Sequence, residues 1–354
     1  MTFFHIIDNF TRGGAETLLY HVVKNLKNHR HYIITLTSAN HFSPEELKGL
    51  QLIVLDFKSM LSLPGTVWRL RQLIRKHQPD IIHAHLPLAS LVSRLATPKR
   101  MKLFVSVHNT YSESLQKVSP RLFWLEKKLH SRRDRLLFVS AAIREDYQRI
   151  IGIKGQSFVL YNFIADKFFN PVHQRMPSGA VPAKHRLVSV GSLKRQKNFD
   201  TLIRAFSLLD NSKFSLDIFG VGAEKPALEQ LIIQYGLTNV HLRGGVPDIE
   251  ARLKDYDAFI LASRYEGFGI APLEAAAVGL PLLLSDIGVF REVTKDYATY
   301  FSPSDEKDIA ATIMNYRENY ISALETSKIF RPTVQRDYSR EAYLQKLLNI
   351  YQHE

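Results

Sequence analysis

The sequence predicts an α/β protein of two domains, each with a parallel sheet flanked by helices. Apolar runs of strand length alternate with amphipathic stretches of helix length along most of the chain, a pattern typical of parallel sheets. The alternation starts again at Arg186, after a segment rich in proline and other loop-forming residues. With 354 residues, the chain is also long for a single hydrophobic core.

The first domain is predicted to span residues 1–165. Its strands are expected at residues 3–7, 31–37, 52–56, 80–85, 102–108 and 135–140, and its helices after Gly14, at 64–77 and at 88–96. In the helix at 64–77, Val67, Leu70, Leu73 and Ile74 fall on one face, as expected for a helix that packs on a sheet.

Residues 166–182 are the predicted linker, and residues 183–337 form the predicted second domain. Its strands are expected at residues 186–191, 216–220, 240–242, 258–262 and 282–284, and its helices at 201–209, 272–279 and 305–316. A final amphipathic helix is expected within residues 338–354.

Composition and charge narrow the possible functions. The chain has no cysteine, which excludes disulfides, thiolate metal sites and a cysteine nucleophile. We expect a cytoplasmic protein, because a charge appears within the first eight residues and no apolar run approaches the roughly 20 residues of a membrane span. The whole net charge of +13 lies in residues 1–170, which hold 25 Lys and Arg against 12 Asp and Glu. This excess predicts an anionic partner for the first half of the chain.

The central motif of the second domain follows the predicted strand at 258–262. A loop with two glycines, Gly267 and Gly269, leads to a predicted helix with Pro272 at its first position and Gly279 at its C-terminal cap. Glycines let a ligand approach the backbone, and the free N–H groups of a helix N-terminus favour an anion such as phosphate. A loop of this kind, outside the carboxyl end of a strand, is a typical ligand site.

Two glutamates flank this loop, Glu266 within it and Glu274 in the predicted first helical turn. A carboxylate beside a phosphate would repel the ligand unless it accepts hydrogen bonds from hydroxyl groups. A ligand with both phosphates and vicinal diols is a nucleotide sugar. The alternative is that Glu274 complements the helix dipole and Glu266 is a solvated loop residue.

The stretch Glu-Gly-Phe-Gly-x-x-Pro-Leu-Glu at residues 266–274, followed by Ala-x-x-x-Gly-x-Pro at 275–281, resembles the signature of family 4 of the retaining GT-B glycosyltransferases. The resemblance implies two Rossmann-like domains with parallel sheets facing across a cleft, and a last helix that packs back on the first domain. It assigns Glu274 to the nucleotide ribose and Glu266 to the transferred sugar. The backbone of Gly267, Phe268, Gly269 and Ile270 is expected to bind the donor.

Two further glycine loops match the family. Gly13 and Gly14, between the first strand and the first helix, are expected to face the donor phosphates. In the loop at residues 191–198, Lys197 matches the family lysine that neutralises the diphosphate. Ser192 stands where the family commonly has arginine, and Arg195 or Lys194 is expected to replace that cation. Without the resemblance, this loop is simply a run of solvated charges.

Three histidines fall at predicted strand ends. His83 and His85 share one face of their strand because they are two residues apart. A metal pair would need further ligands, and the sequence indicates no third one, so we expect no metal and two polar residues of the core or cleft. His108 matches the family histidine that faces the transferred sugar, with a purely structural histidine as the alternative. The triplet Asp255–Asp257 lies before a strand, away from the ligand edge, and is expected to be a turn.

Residues 117–135 combine seven Lys and Arg with Leu122, Phe123, Trp124, Leu125 and Leu129. This pattern predicts either a helix that binds a membrane surface or a helix that buries its apolar stripe in its own domain. Some members of the family act on lipid-linked acceptors, which favours peripheral contact with the inner face of the cytoplasmic membrane.

We therefore expect a metal-independent, retaining glycosyltransferase of bacterial surface polysaccharide synthesis. The expected co-substrate is a UDP- or GDP-sugar, the expected acceptor is a glycan or a lipid-linked glycan, and no cofactor or nucleic acid is expected. The catalytic residues are predicted to be His108, Lys197 and Glu266. Two alternatives remain open: a nucleotide-sugar epimerase of the same fold, and a non-catalytic module that binds a membrane or nucleic acid.

Overall fold

The computed structural model describes residues 1–112, 119–170 and 181–353, and it divides the chain into two compact units. Unit 1 comprises Met1–Asn162 and Tyr343–Glu354, and unit 2 comprises Phe163–Ala342. Each unit contains one sheet in which every paired strand is parallel to its neighbour. The predicted α/β class with two Rossmann-like domains is confirmed.

Unit 1 is built on a seven-stranded sheet of order β3-β2-β1-β4-β5-β6-β7. Its strands are β1 (Thr2–Ile7), β2 (Arg30–Thr35), β3 (Gln51–Val54), β4 (Ile81–His85), β5 (Leu103–Val107), β6 (Asp134–Phe138) and β7 (Ser157–Val159). Its helices include α1 (Gly14–Asn25), α2 (Pro44–Leu47), α3 (Leu63–His77), α4 (Pro87–Ala96), α5 (Pro120–Leu129) and α6 (Ala141–Ile150).

Unit 2 is built on a six-stranded sheet of order β10-β9-β8-β11-β12-β13. Its strands are β8 (His185–Val190), β9 (Phe214–Phe219), β10 (Val240–Gly244), β11 (Ala258–Leu261), β12 (Leu282–Ser285) and β13 (Thr299–Phe301). The remaining helices are α7 (Phe199–Phe206), α8 (Lys225–Gln234), α9 (Ile249–Leu253), α10 (Ile270–Val278), α11 (Gly288–Thr294), α12 (Glu306–Glu318), α13 (Tyr320–Tyr338) and α14 (Arg340–His353). From Tyr343 onward, α14 belongs to unit 1.

Both sheets reverse their strand order beside their first strand. In unit 1, β1 lies between β2 and β4, and in unit 2, β8 lies between β9 and β11. Ligands of open α/β sheets bind at this switch point, outside the carboxyl ends of the strands. In unit 2, the loops at this point follow Val190 and Leu261 and carry the two predicted donor motifs. In unit 1, the corresponding loops follow Ile7 and His85.

The central strands are covered on both faces, which explains why they are apolar without alternation. All four residues of β11 are completely buried, and Phe3, Phe4 and Ile6 of β1 are buried as well. In unit 2, the helices α7 and α12 pack together on the sheet. The cores therefore lie on the faces of the sheets, and the strand ends are left for the functional loops.

Two predicted segments differ from the observed structure. The basic segment 117–135 is not one helix, because α5 ends at Leu129 and residues 134–135 belong to β6; residues 117–118 lie outside the described residues. The predicted linker begins with a 3₁₀ turn, Asp166–Phe168, whose Phe168 is buried in unit 2. Residues 171–180 of that linker also lie outside the described residues.

The long helix α13 was not expected from the sequence. It contains Pro332, which has no backbone N–H and normally weakens a helix interior. The helix forms nonetheless because Phe330, Val334 and Tyr338 are almost completely buried. Burial of one face has therefore prevailed over local propensity.

Candidate active site

The loop before α10 forms the helix N-terminus that the sequence predicted. The helix begins at Ile270 rather than at Pro272, since Gly269 takes φ of 82° as its N-cap. A Cβ at Gly269 would also lie 2.7 Å from the ring of Phe290, so both the backbone and the packing require glycine. Gly279 ends the helix with φ of 99°, as predicted. Gly267, Phe268 and Gly269 are buried.

Glu266 is buried, with 8% of its surface exposed. Its Oε1 accepts a hydrogen bond of 2.7 Å from the Ser263 hydroxyl and forms an ion pair with Lys197 Nζ. Its Oε2 lies 3.4 Å from Gln196 Nε2. The interpretation of Glu266 as a solvated loop residue is therefore wrong. The structure brings the predicted diphosphate lysine and the predicted sugar-binding glutamate into direct contact.

This contact arises because the two loops follow neighbouring strands, β8 and β11. The backbone N–H of Arg264 donates to the carbonyl of Gln196 at 2.9 Å, and the Gln196 side chain donates to the carbonyl of Tyr265 at 2.9 Å. A 3₁₀ turn, Arg195–Lys197, directs Lys197 toward Glu266. Only 15% of the Lys197 side chain is exposed, so this lysine is not part of a solvated charge run.

The side chain of Asn198 links the two loops through hydrogen bonds, a role that the sequence analysis missed. It takes φ of 59°, and its Nδ2 donates to the carbonyls of Ala262 at 3.0 Å and Pro303 at 2.6 Å. Its Oδ1 accepts from Thr201 and from Arg264. Asparagine tolerates this left-handed backbone better than most residues. The available signal was an asparagine shortly before the helix predicted at 201–209, and the observed helix α7 begins directly after it, at Phe199.

The rest of the lysine loop is exposed. Ser192 and Lys194 are exposed, and 91% of the Arg195 side chain is accessible, with its Nε 3.8 Å from Glu224. The hydroxyl of Ser192 is neutral and cannot provide the cation that is common in the family. Lys194 and Arg195 are free to reach a ligand, which keeps the prediction that one of them replaces the usual arginine.

Two glycines that the sequence analysis left unassigned, Gly220 and Gly222, support this loop. A Cβ at Gly220 would lie 1.9 Å from the carbonyl oxygen of Gly191, and one at Gly222 would lie 2.3 Å from that of Leu193. The backbone after β9 can therefore pack directly against the backbone after β8. Larger side chains at these two positions would displace the loop that carries Lys197.

Glu274 is the fifth residue of α10 and is partly exposed. It is not in the first helical turn, so compensation of the helix dipole is a poor explanation for it. Within the described residues its carboxylate has no hydrogen-bond partner, and burial raises its pKa to about 7, with a smaller opposing effect from Lys167. A carboxyl group with a raised pKa and no hydrogen-bond partner among the described residues is typical of a binding site.

In unit 1, the loop after β1 places two acids beside the predicted glycines. A Cβ at Gly13 would lie 2.3 Å from Glu16 Oε2, so this glycine allows Glu16 to fold back over the start of α1. Asp8 accepts a 2.7 Å hydrogen bond from the backbone N–H of Ala89, and burial raises its pKa to about 6. Gly14 is exposed, and a Cβ there would meet only open space.

His108 follows β5, at the carboxyl edge of the same sheet. Its ring stacks on that of His85, with the ring centres 5.9 Å apart. Its Nε2 is buried without a hydrogen-bond partner among the described residues, and burial lowers its pKa to about 4. The imidazole is therefore neutral at pH 7 and has a free ring nitrogen.

An apolar groove of about 810 Å³ lies at this edge of unit 1. It is lined by segments that follow β3, β4 and β5, including Phe57, Met60, Leu88, Leu122, Trp124 and Leu125. Trp124 is 58% exposed and Met60 49% exposed. The helix α5 is nevertheless anchored from below, because its buried Glu126 accepts hydrogen bonds from Arg94 and from Tyr147. The apolar stripe of α5 is therefore partly exposed, while Glu126 binds the helix to the rest of unit 1.

One other sequence feature occupies the place expected of it. The triplet Asp255–Asp257 lies at the amino end of β11, and Asp257 accepts a 2.7 Å hydrogen bond from the backbone N–H of Arg186. Among the helices of the described residues, none is both long and apolar enough to span a membrane.

Comparison with known proteins connects both units to sugar transfer. A model of the family described as Glycosyltransferase Family 4 matches residues 12–168, and one described as Glycosyl transferases group 1 matches residues 174–331. An uncharacterized glycosyltransferase of Methanocaldococcus jannaschii is 27% identical over 237 residues, which is 61% of this chain and 60% of that protein. The O-antigen chain mannosyltransferase RfbU of Salmonella typhimurium is 26% identical over 223 residues, 60% of each chain.

The chain thus spans about 60% of the length of these two curated relatives. Among solved structures, Anabaena HepE in complex with UDP-glucose superposes with a TM-score of 0.84 and 19% identity, covering 100% of both chains. The two family models leave few residues unmatched, and the structural match extends over both units.

Proposed function

This chain belongs to the family 4 glycosyltransferases of the GT-B fold, and from that premise we propose that it transfers a sugar, with retention of configuration, from a UDP- or GDP-sugar to a lipid-linked glycan. The contact between Lys197 and Glu266 at the switch point of unit 2 carries the proposal. It joins a cation suited to a diphosphate with a carboxylate suited to sugar hydroxyls, directly before the free amides of α10.

We assign the donor to unit 2. Lys197 and the N–H groups at the start of α10 bind the diphosphate, and Glu266 accepts hydrogen bonds from the sugar. Glu274, whose carboxylate has no partner among the described residues, accepts the two ribose hydroxyls. The similarity to a protein solved with UDP-glucose supports a nucleotide-sugar donor.

The chemistry in this proposal is stabilisation of the leaving group rather than covalent catalysis. As the bond to the sugar breaks, negative charge develops on the diphosphate, where Lys197 and the helix amides are already oriented. Glu266 holds Lys197 in place before the donor arrives and then shares it with the diphosphate. These groups neutralise the diphosphate, so transfer requires no metal ion. The neutral His108 is suited to hydrogen-bond a sugar hydroxyl.

We assign the acceptor to unit 1. The apolar groove beside α5 lies at the carboxyl edge of its sheet, the edge that also holds His108. A groove lined by Phe57, Leu122 and Trp124 suits the hydrocarbon chain of a lipid-linked glycan. Its phosphates would meet Arg121 in the lining and Lys128, which lies over the Trp124 ring. The O-antigen mannosyltransferase among the relatives supports a role in surface polysaccharide synthesis. The protein would then act at the inner face of the cytoplasmic membrane.

The test is a donor screen followed by product analysis. Thermal shift with UDP-, GDP- and ADP-sugars identifies the donor, and the preferred donor is then incubated with lipid-linked glycans after exhaustive chelation of metals. We expect a glycosylated lipid whose anomeric proton matches the configuration of the donor. A free epimerised sugar without acceptor would instead identify an epimerase. Loss of transfer on chelation, restored by a divalent ion, would contradict the metal-independent mechanism.

A further inference from the structure

Three buried histidines meet in the core of unit 1, and no step of the proposed transfer uses them as a group. His5 on β1 is paired in register with His83 on β4, and His85 lies two residues further along β4. One ring nitrogen from each of the three lies within 4.8 Å of the other two. The sequence indicated only the pair on β4; the strand order adds His5 because β1 is the neighbour of β4.

The hydrogen bonds of His31 determine which nitrogen of His5 is free. His31 Nε2 lies 3.0 Å from the carbonyl oxygen of Leu26, which can only accept, so His31 carries its proton there. Its Nδ1 is then an acceptor, and His5 Nε2 donates to it at 3.1 Å. His5 Nδ1 therefore presents a lone pair, which is buried and has no partner among the described residues.

The other two rings complete the set. Neither ring nitrogen of His85 has a hydrogen-bond partner in the described part of the chain, although both are buried. His83 Nδ1 lies 2.6 Å from the Tyr351 hydroxyl and its Nε2 lies 2.8 Å from the Ser106 hydroxyl. Both hydroxyls can donate or accept, so His83 can direct one nitrogen to a ligand and keep the other hydrogen bond.

The surroundings keep all three imidazoles neutral, which is the form that binds metals. Burial lowers the pKa of His5, His83 and His85 well below its usual range, and the neighbouring histidines lower it further. Aromatic rings close the site: Phe3 and Phe104 pack on Tyr351 of α14, with ring centres 5.3 Å and 5.0 Å apart.

We propose that His5, His83 and His85 bind a transition-metal ion, Zn²⁺ in particular, in the core of unit 1. Three neutral imidazoles suit Zn²⁺, and the fourth tetrahedral position remains for a water molecule or hydroxide. His31 is the outer-shell partner that orients His5, as the Ser106 and Tyr351 hydroxyls orient His83. The ion would join β1, β4 and, through Tyr351, the last helix of the chain. This site stands independently of the transfer reaction.

The test uses the full chain without a histidine tag, stripped of metal and titrated with Co²⁺ as a spectroscopic substitute for Zn²⁺. We expect one Co²⁺ per chain, with the visible bands of tetrahedral coordination, and displacement of Co²⁺ by Zn²⁺. We also expect Zn²⁺ to raise the unfolding temperature. His31→Gln should weaken Co²⁺ binding about 10–100-fold, as loss of an outer-shell partner typically does. His85→Gln should weaken it more, since it removes a direct ligand.

The matched control is His185→Gln, which replaces a completely buried histidine of unit 2 and should leave Co²⁺ binding unchanged. Circular dichroism shows which variants are folded. The wild-type result decides the matter even if a variant unfolds: absence of stoichiometric Co²⁺ binding overturns the proposal. Tight binding that survives His85→Gln also overturns it, because the ion would then lie on surface histidines.

Discussion

The two units have the same arrangement of strands around the switch point but place opposite chemistry there. In unit 2, a charged pair, Lys197 and Glu266, joins the two loops. In unit 1, the corresponding strands carry the neutral rings of His5, His83 and His85. Unit 1 holds 25 Lys and Arg against 12 Asp and Glu, whereas unit 2 holds 22 of each. Eleven of the 14 histidines belong to unit 1.

The difference shows that the scaffold determines where a ligand binds and that the side chains determine which ligand it is. Unit 2 keeps its charges paired until a charged ligand arrives, which suits a nucleotide sugar. Unit 1 leaves its positive charge on the surface beside an apolar groove, which suits an anionic lipid. The following predictions test this contrast, beginning with the largest expected effect.

Mild acid should unfold unit 1 before unit 2. The pKa values of His5, His83 and His85 are lowered in the folded state, so the unfolded chain binds more protons below pH 6.5. Stability is therefore complete above that pH and is lost as the pH falls. At pH 5.5 the unfolded chain is protonated at these positions and the folded chain is not, so each group lowers the free energy of unfolding, by on the order of 1 kcal/mol.

The measurement is unfolding of metal-free protein in urea at pH 7.5 and 5.5, followed by a pulse of hydrogen exchange at one fixed pH. Peptides of unit 1 should lose protection at lower urea in acid, and His85→Gln should reduce the shift. If the peptides of unit 2 lost their protection at a lower urea concentration than those of unit 1, the prediction would be contradicted.

Lys197→Ala should lower kcat about 10²–10³-fold, since it removes a group oriented toward the leaving diphosphate. Lys197→Ala should also lower the stability of the protein, which substitution of an exposed lysine would not do. Among the described residues, Glu266 then keeps only Ser263 and Gln196 as partners while it stays buried, a loss of about 1–3 kcal/mol. Steady-state kinetics and urea unfolding measure the two effects.

Arg195→Ala is the matched control for stability, because 91% of this side chain is exposed and its loss should change stability by less than about 0.5 kcal/mol. If Lys197→Ala keeps the wild-type rate while Arg195→Ala loses it, the diphosphate is bound by Arg195 instead.

Glu274→Gln should weaken donor binding by about 1.5–3 kcal/mol, the value of a hydrogen bond to a charged group. The free carboxyl has a pKa of about 7, and the ribose hydroxyls favour its ionised form. Wild-type affinity should therefore rise from pH 6 to pH 8, and the variant should lose that dependence. Calorimetric titration with the donor measures both, with Glu318→Gln at the exposed end of α12 as the control. If Glu274→Gln keeps the wild-type donor affinity and its pH dependence, Glu274 does not bind the ribose.

Lys127→Gln and Lys128→Gln on α5 should each weaken binding to anionic vesicles by about 1 kcal/mol, and less at high salt. Co-sedimentation with phosphatidylglycerol and phosphatidylcholine vesicles measures the effect. Arg75→Gln and Lys76→Gln change the same charge at the end of α3, near the amino edge of the sheet, and should have little effect. Equal losses from both pairs would indicate a diffuse charge effect rather than docking through α5.

The sequence predicts the strands and the donor motifs well, because buried parallel strands are apolar runs and the loop at 266–274 is long and specific. It could not predict that Lys197 touches Glu266, since this depends on β8 and β11 being neighbours although 67 residues separate Val190 from Ala258. His5 was missed for the same reason: a lone histidine in an apolar strand gives no local signal. The helix α13 was missed because Pro332 obscures a helix that depends on tertiary packing.

The return of α14 to unit 1 has a consequence for biosynthesis. Leu347, Ile350 and Tyr351 are buried there, so the N-terminal unit lacks part of its core until the ribosome has passed Tyr351. Unit 2 is continuous from Phe163 to Ala342 and can complete its fold first. At about 5–20 residues per second, the interval between synthesis of Asn162 and Tyr343 is about 10–40 s. During that time the histidine-rich sheet lacks its last covering helix, and chaperones have their best opportunity to bind it.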